Sequence, residues 1–266
     1  MSFADRIIVI TGASDGIGAE LARQLSADKP KLVLAARRRG ALEGVAMQCE
    51  SAGAQTLCVV TDVSVEADCR ALIAATVEKF GGIDALVNNA GVSMHANFDA
   101  ITDTAVYENL MRINLMGSIW PTHAALPHLK LSKGLVVAVA SLAGLVGVPG
   151  RTTYCATKFA QTGFFEALRV ELQPEGVDVT IVYPGVVATE IRRNGWNAKG
   201  ETAGSSGLSE TNAMSVEECA GLIVSAMRSR KREQVMSFKG KLGRWMKLIA
   251  PAKVDAMARA ALAKEH

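Results

Sequence analysis

Ile7-Ile8-Val9-Ile10-Thr11-Gly12-Ala13-Ser14-Asp15-Gly16-Ile17-Gly18 decides the fold. Four β-branched residues in a row read as a buried strand. The run stops at Thr11-Gly12, and Gly12, Gly16 and Gly18 then let the backbone turn tightly. The helix that begins near residue 17 points its positive N-terminal end back at the turn, where a pyrophosphate can sit against bare main chain. The spacing is G-x-x-x-G-x-G rather than the more common G-x-G-x-x-G. Glycines after a strand also make plain tight turns, so the decision rests on what lies downstream.

Downstream, strands and helices alternate. Lys31 to Ala36, Thr56 to Val60, Ile83 to Val87, Leu135 to Ala140 and Val177 to Val182 read as strands two to six. Helical spacing covers 17–27, 40–52, 66–80 and 152–173, and 104–131 predicts a long helix broken near Pro121 and Pro127. Most strands are continuous apolar runs, the pattern of a parallel sheet covered on both faces. The expected fold class is α/β: a doubly wound, Rossmann-like parallel sheet in a single domain with a C-terminal helical extension. Ligands in such folds sit at the carboxyl ends of the strands, so residues just after each strand are the functional candidates.

Bulk properties agree. The chain has 266 residues, 49% hydrophobic and 21% charged, enough for one large domain and its core. A net charge of +3 hides an asymmetry. From Arg228 onward there are 11 Lys/Arg against 3 Asp/Glu, a net of +8, leaving 18 against 23, a net of −5, on the rest. A basic tail suits an acidic surface such as a membrane or another subunit. Cys49, Cys58, Cys69, Cys155 and Cys219 are odd in number and lack CxxC spacing. They indicate neither a disulfide framework nor a metal site, and they fit a reduced, cytoplasmic compartment. No cleaved signal and no transmembrane helix is expected.

Strand two ends at Ala35-Ala36-Arg37-Arg38-Arg39. An NAD enzyme places a carboxylate here for the ribose 2′-hydroxyl, but no acid appears before Glu43. Arg37, with help from Arg38, can instead fork onto a 2′-phosphate, which favours NADP(H). The plain alternative is a solvated arginine cluster at a helix start.

Tyr154 and Lys158 stand four apart on a helix and share a face. A tyrosine with a pKa of about 10 is a poor base near neutrality; a neighbouring ammonium and an oxidised nicotinamide would lower that value. Tyr154 could then give a proton to a carbonyl oxygen or take one from an alcohol. Ser141 directly follows strand five, where its hydroxyl can bond the substrate oxygen as charge develops. Tyr-x-x-x-Lys alone is a weak signal; a strand-end serine 13 residues before it, downstream of the glycine loop, strengthens it.

These separated motifs resemble the short-chain dehydrogenase/reductase family over about residues 5–190. Thr-Gly-x-x-x-Gly-Ile-Gly stands at 11–18 and Asn-Asn-Ala-Gly at 88–91. The resemblance implies Ser141, Tyr154, Lys158 and Asn114 as the catalytic set, with Asn114 holding a water that links Lys158 to solvent. From local sequence alone, Asn114 reads as a helix residue satisfied nearby. The resemblance further implies that Gly12, Ser14, Asp15, Gly16, Ile17 and Gly18 hold the pyrophosphate. Asp62 and Val63 would contact adenine, and Asn88, Asn89, Ala90 and Gly91 would line the cofactor. Pro184 and Gly185 after strand six would also bind the cofactor, Val187 and Thr189 would meet the nicotinamide carboxamide, and a homodimer or homotetramer would form through helices 104–131 and 152–173. One departure is Asp15, where many NADP-preferring members carry a basic residue.

Leu142 to Pro149 is almost wholly apolar apart from its glycines, which suits a lipophilic substrate or ordinary loop packing. Met94 and His95 are expected near the pocket. Residues 190–215, polar and rich in Gly and Ser, are expected to form a substrate lid within a catalytic domain spanning 1–238. From 239 to 266, Leu242, Trp245, Met246, Ile249, Val254, Met257, Ala261 and Leu262 form an apolar stripe on two helices separated near Pro251, opposite Lys and Arg. Three uses of this tail stay open: packing on the body or a partner subunit, lying on a membrane surface, or closing over substrate. Nucleic acid is not expected, because no aromatic platform accompanies the charge. The expected function is hydride transfer between NADP(H) and a hydrophobic alcohol/carbonyl pair. The alternatives are an NAD-dependent alcohol dehydrogenase and a non-catalytic NADP(H)-sensing protein.

Overall fold

The computed structural model describes residues 2–204 and 213–262. Its strands are β1 (Ile7–Thr11), β2 (Lys31–Ala36), β3 (Gln55–Val60), β4 (Ala85–Asn88), β5 (Leu135–Val139), β6 (Asp178–Tyr183) and β7 (Glu233–Val235). The helices are α1 (Gly16–Leu25), α2 (Arg39–Ser51), α3 (Glu66–Phe80), α4 (Ala105–Met111), α5 (Gly117–Ser132), α6 (Thr152–Leu172), α7 (Val216–Arg228), α8 (Phe238–Ile249) and α9 (Pro251–Leu262). All seven strands are parallel, in the order β3-β2-β1-β4-β5-β6-β7. The winding reverses between β1 and β4, so a crevice opens beyond their carboxyl ends.

The centre of the sheet is buried on both faces because its strands are mostly apolar: β1, β4 and β5 have no exposed residue. On one face Ile8, Ile10, Leu32 and Leu34 pack with Leu21 and Leu25 of α1 and Ile223 and Met227 of α7. On the other, Val9, Val33, Leu86 and Val136 pack with Leu72 of α3, Leu129 of α5 and Phe165 of α6. Truncating a fully buried leucine such as Leu21 would cost about 2–5 kcal/mol.

One expectation needs correction. Pro121 and Pro127 do not break the long helix; both lie inside a continuous α5. Pro127 is exposed, where water can take the His123 carbonyl that its missing N–H leaves over. The irregularity lies upstream, in a wide π turn at Arg112–Met116 that joins α4 to α5. Of the uses left open for the tail, packing of its apolar stripe on the body is not how α8 is held; polar contacts attach its other side. Gly240 lies against Leu142 with no room for a β-carbon, Arg244 pairs with Glu233 at 2.6 Å, and Lys247 donates to the Leu145 carbonyl at 3.2 Å. Phe238, Leu242, Trp245 and Ile249 are left exposed.

Beyond the six strands read from the sequence, the structure adds α7, capped by the Ser215 hydroxyl accepting from the Glu218 N–H, and the short strand β7. The segment expected as a lid is described up to residue 204. It is tied down by hydrogen bonds from Trp196 N–H to Ser93 O (2.9 Å) and from His95 N–H to Trp196 O (3.1 Å). Residues 205–212 of that segment and 263–266 of the tail lie outside the described residues.

Candidate active site

The glycine loop is built as a bare main-chain cradle. Gly12 has φ of +67°, and a β-carbon there would stand 2.9 Å from Ala90 Cα. At Gly18 a β-carbon would run into the Gly12 carbonyl. Asp15 is the N-cap of α1, its carboxylate accepting from the Gly16 N–H at 2.7 Å. The loop is stapled to the turn after β4. Thr11 Oγ1 accepts from the N–H groups of Asn89 (3.0 Å) and Ala90 (3.1 Å), and Asn89 Nδ2 donates to the carbonyls of Thr11 (2.9 Å) and Gly12 (3.2 Å).

A cleft of about 540 Å³ runs over this cradle. Of the expected cofactor residues, Gly12, Ser14, Asp15, Gly16, Ile17, Arg37, Arg38, Asp62, Val63, Asn89, Ala90, Gly91 and Thr189 line it. Gly18, Pro184, Gly185 and Val187 do not; Gly18 supports the loop from beneath, Pro184 is buried, and Val187 is buried and bridges Met214. Asn88, the last residue of β4, also turns away, donating to Thr122 Oγ1 of α5 at 2.8 Å. The cleft fits a dinucleotide: exposed backbone faces a helix N-terminus at its centre, and cations stand at one end. At that end Arg37 is exposed and makes no ion pair among the described residues, whereas Arg38 leans on Asp15 at 3.5 Å. Asp62 accepts from the Ser64 N–H (2.9 Å) and Oγ (2.7 Å), which fixes the turn after β3.

Behind Gly91, which lines the cleft, stand Asn114 and Lys158; the catalytic candidates Ser141, Tyr154, Lys158 and Asn114 are not themselves among the residues lining it. A β-carbon on Gly91 would come within 3.1 Å of Asn114 Oδ1 and 3.9 Å of Lys158 Nζ. Tyr154 and Lys158, on α6, are both buried, with the ammonium 5.8 Å from the ring centroid. Burial pushes the Tyr154 phenol above its ordinary value; the Ser141 hydroxyl bonded to it and the cations Arg151 and Arg192 pull the other way. Burial alone brings the Lys158 ammonium down to about 7. Its Nζ donates to the Val139 carbonyl at 3.0 Å and to Gln161 Oε1 at 2.9 Å. Ser141, just past β5, caps the short turn at Leu142–Gly144 by accepting from the Ala143 N–H at 3.2 Å.

Asn114 sits in the wide turn and is fully buried. Its side chain accepts from the Val92 N–H (2.8 Å) and donates to the Val92 carbonyl (3.0 Å) and Thr157 Oγ1 (3.1 Å). It therefore clamps the turn after β4 to α6, while its carbonyl accepts from Ser118 Oγ at 3.0 Å. Met94 is buried in an apolar cluster with Val106, Leu110, Ala143, Tyr154 and Cys155 and lines no part of the cleft. The sequence alone did not bring out Thr11, Ser118, Thr157, Gln161, Arg151 or Arg192. Of these, Gln161 had a signal: 154, 158 and 161 continue one helical stripe.

A family model described as short chain dehydrogenase matches residues 6–200. A relative named 11-beta-hydroxysteroid dehydrogenase-like 4A, from Arabidopsis thaliana, is 42% identical over 183 residues; the match spans 68% of this chain and 61% of that relative's length. A short chain dehydrogenase/reductase of Burkholderia phymatum, solved in complex with NAD, superposes with a TM-score of 0.78 at 25% identity, covering 88% of this chain and 90% of its own. An alcohol dehydrogenase of Thermococcus sibiricus complexed with 5-hydroxy-NADP shares the fold, with a TM-score of 0.75 at 24% identity over 87% of this chain and 95% of its own.

Proposed function

The chain belongs to the short-chain dehydrogenase/reductase family, whose members are nicotinamide-dependent oxidoreductases of hydroxyl and carbonyl groups, and on that premise we propose an NADP(H)-dependent enzyme acting on a lipophilic alcohol/carbonyl pair. The observation that carries this reading is the convergence of Ser141 and Lys158 on Tyr154, with Lys158 Nζ reaching toward Gly91, which lines the glycine cleft. A bound nicotinamide supplies the carrier for two electrons and a hydrogen. The protein's own part is the proton. In reduction, Tyr154 Oη donates to the carbonyl oxygen while the Ser141 hydroxyl bonds that oxygen; in oxidation the phenolate takes the alcohol proton. Lys158, Arg151 and Arg192 favour the phenolate.

NADP(H) is favoured by Arg37, exposed in the cleft at the end of β2 and making no ion pair among the described residues. The lipophilic substrate is favoured by the apolar cluster around Tyr154, and the name of the Arabidopsis relative points to steroid-like molecules. The outward stripe of α8, flanked by Lys241 and followed by Lys253 and Arg259, suits peripheral contact with an anionic membrane, where apolar burial and lipid charge act together. A homodimer or homotetramer through α5 and α6 follows from the family resemblance. The deciding experiment is a panel of hydrophobic ketones and alcohols followed by NADPH absorbance. Wild type should turn over at least one, and Tyr154→Phe should bind NADPH yet turn over none. Equal turnover in that variant would refute the mechanism, and no turnover by wild type would favour a sensing role.

A further inference from the structure

We infer that Gln161 is a positioning residue for the catalytic lysine, holding the Lys158 ammonium in place so that one N–H is left for the reaction side. The inference rests on the reading of Tyr154 and Lys158 as the proton-transferring pair. Gln161 is 1% exposed, and its amide stands between two groups whose needs fix its orientation. An ammonium can only donate, so the oxygen must face Lys158 Nζ, at 2.9 Å. The amide nitrogen donates to Ser118 Oγ at 3.0 Å. Ser118 in turn directs its hydroxyl at the main-chain carbonyls of Leu115 (2.8 Å) and Asn114 (3.0 Å). Lys158 is thereby tied through protein alone to the wide turn that carries Asn114.

The count of protons gives the function. Nζ has three N–H groups; one goes to Val139 O and one to Gln161. The third is left on the side of Gly91 and Tyr154. Both acceptors are uncharged, so they stabilise the ammonium without cancelling the charge that the phenol feels. Losing one acceptor to a buried cation should lower its proton affinity about tenfold or more. An ammonium already brought down by burial would then give up its proton at still lower pH, and the phenol would ionise without its help. Lys158 and Cys155 on α6, Arg151 just before it and Arg192 from the segment after β6 are the charged and titratable groups around Tyr154, and none of them is altered by a change at 161.

The test compares wild type with Gln161→Met, of similar length but without an acceptor, and with Ser118→Ala, which leaves Gln161 in place but unsupported. The Tyr154 phenol is titrated with saturating NADP⁺ by ultraviolet difference absorbance, with Tyr154→Phe subtracting Tyr107 and Tyr183, and the acid limb of kcat for alcohol oxidation is recorded alongside. Gln161→Met should raise both midpoints by about one pH unit, and Ser118→Ala should raise them by less, in the same direction. Midpoints equal to those of wild type in Gln161→Met overturn the inference, even if kcat falls evenly at every pH as a packing defect would make it. Should Gln161→Met fail to fold, Ser118→Ala decides by the same criterion. The phenol titration needs no substrate, so a raised midpoint in a protein that turns over nothing supports the lysine anchor while refuting the enzyme reading.

Discussion

Replacing Arg37 by Ala should separate the two nicotinamide cofactors. Arg37 leaves the end of β2 exposed, lines the cleft, and has no ion pair to break among the described residues. A charge-assisted hydrogen bond in a shielded site is worth about 1.5–3 kcal/mol; exposure and salt bring this to about 1–2 kcal/mol here. That corresponds to NADPH binding about 5–30-fold more weakly, with NADH binding unchanged, because NADH has no phosphate at that position. Arg38 already leans on Asp15 at 3.5 Å, so Arg38→Ala should cost less. Fluorescence titrations of both cofactors at low and raised salt provide the assay, and the NADPH effect should shrink as salt rises. Equal weakening of the two cofactors, or tighter NADH binding by wild type, would refute the assignment of Arg37.

Other perturbations test other parts. Gly12→Ala puts a side chain at φ of +67° and 2.9 Å from Ala90 Cα; a cost of about 1–3 kcal/mol should lower Tm by roughly 3–10 °C and weaken both cofactors, and an unchanged Tm would contradict the packing described. Asp28 accepts from Arg228 (2.9 Å) and the Phe3 N–H (2.7 Å), and Arg228 with that N–H holds its carboxyl below the usual value. Its stabilisation is therefore present above the unfolded value of about 4 and lost as pH falls through the lower folded value. Asp28→Asn should melt below wild type at pH 7, with the gap closing under acid; a gap independent of pH would contradict this. Vesicles of anionic lipid should shift the fluorescence of wild type but not of Trp245→Phe, Trp245 being 65% exposed, and no shift in wild type would remove the membrane proposal.

Much of the fold was legible because parallel strands buried on both faces must be apolar in their interior, and β1, β2, β4 and β5 are, with Thr11, Lys31 and Asn88 only at strand ends. Ser141, Tyr154 and Lys158 were legible for a similar reason: a strand end and an i,i+4 spacing fix direction as well as position. What stayed hidden depends on contacts between distant segments. Asn88 and Asn89 are adjacent, yet one turns into α5 and the other staples two loops, and only the end of β4 decides which. The period of α8 reveals a stripe but not the side it faces; Arg244 bonded to Glu233 and Gly240 against Leu142 turn it outward. Pro121 and Pro127 look like helix breaks, but the wide turn at 112–116 ends before them. β7, three residues long and led by Glu233 and Gln234, carries too little apolar pattern to read.

The central claim is that the Tyr154 phenol exchanges its proton near neutrality once a cofactor is bound. Burial alone leaves it above its ordinary value, so the cofactor and Lys158 must bring it down. The most direct measurement is the titration of that phenol with and without saturating NADP⁺, in wild type and in Lys158→Met. The account predicts a midpoint well under the usual ~10 in the wild-type complex, and a smaller fall in the lysine variant. A midpoint that stays at or above ~10 with NADP⁺ bound would contradict it.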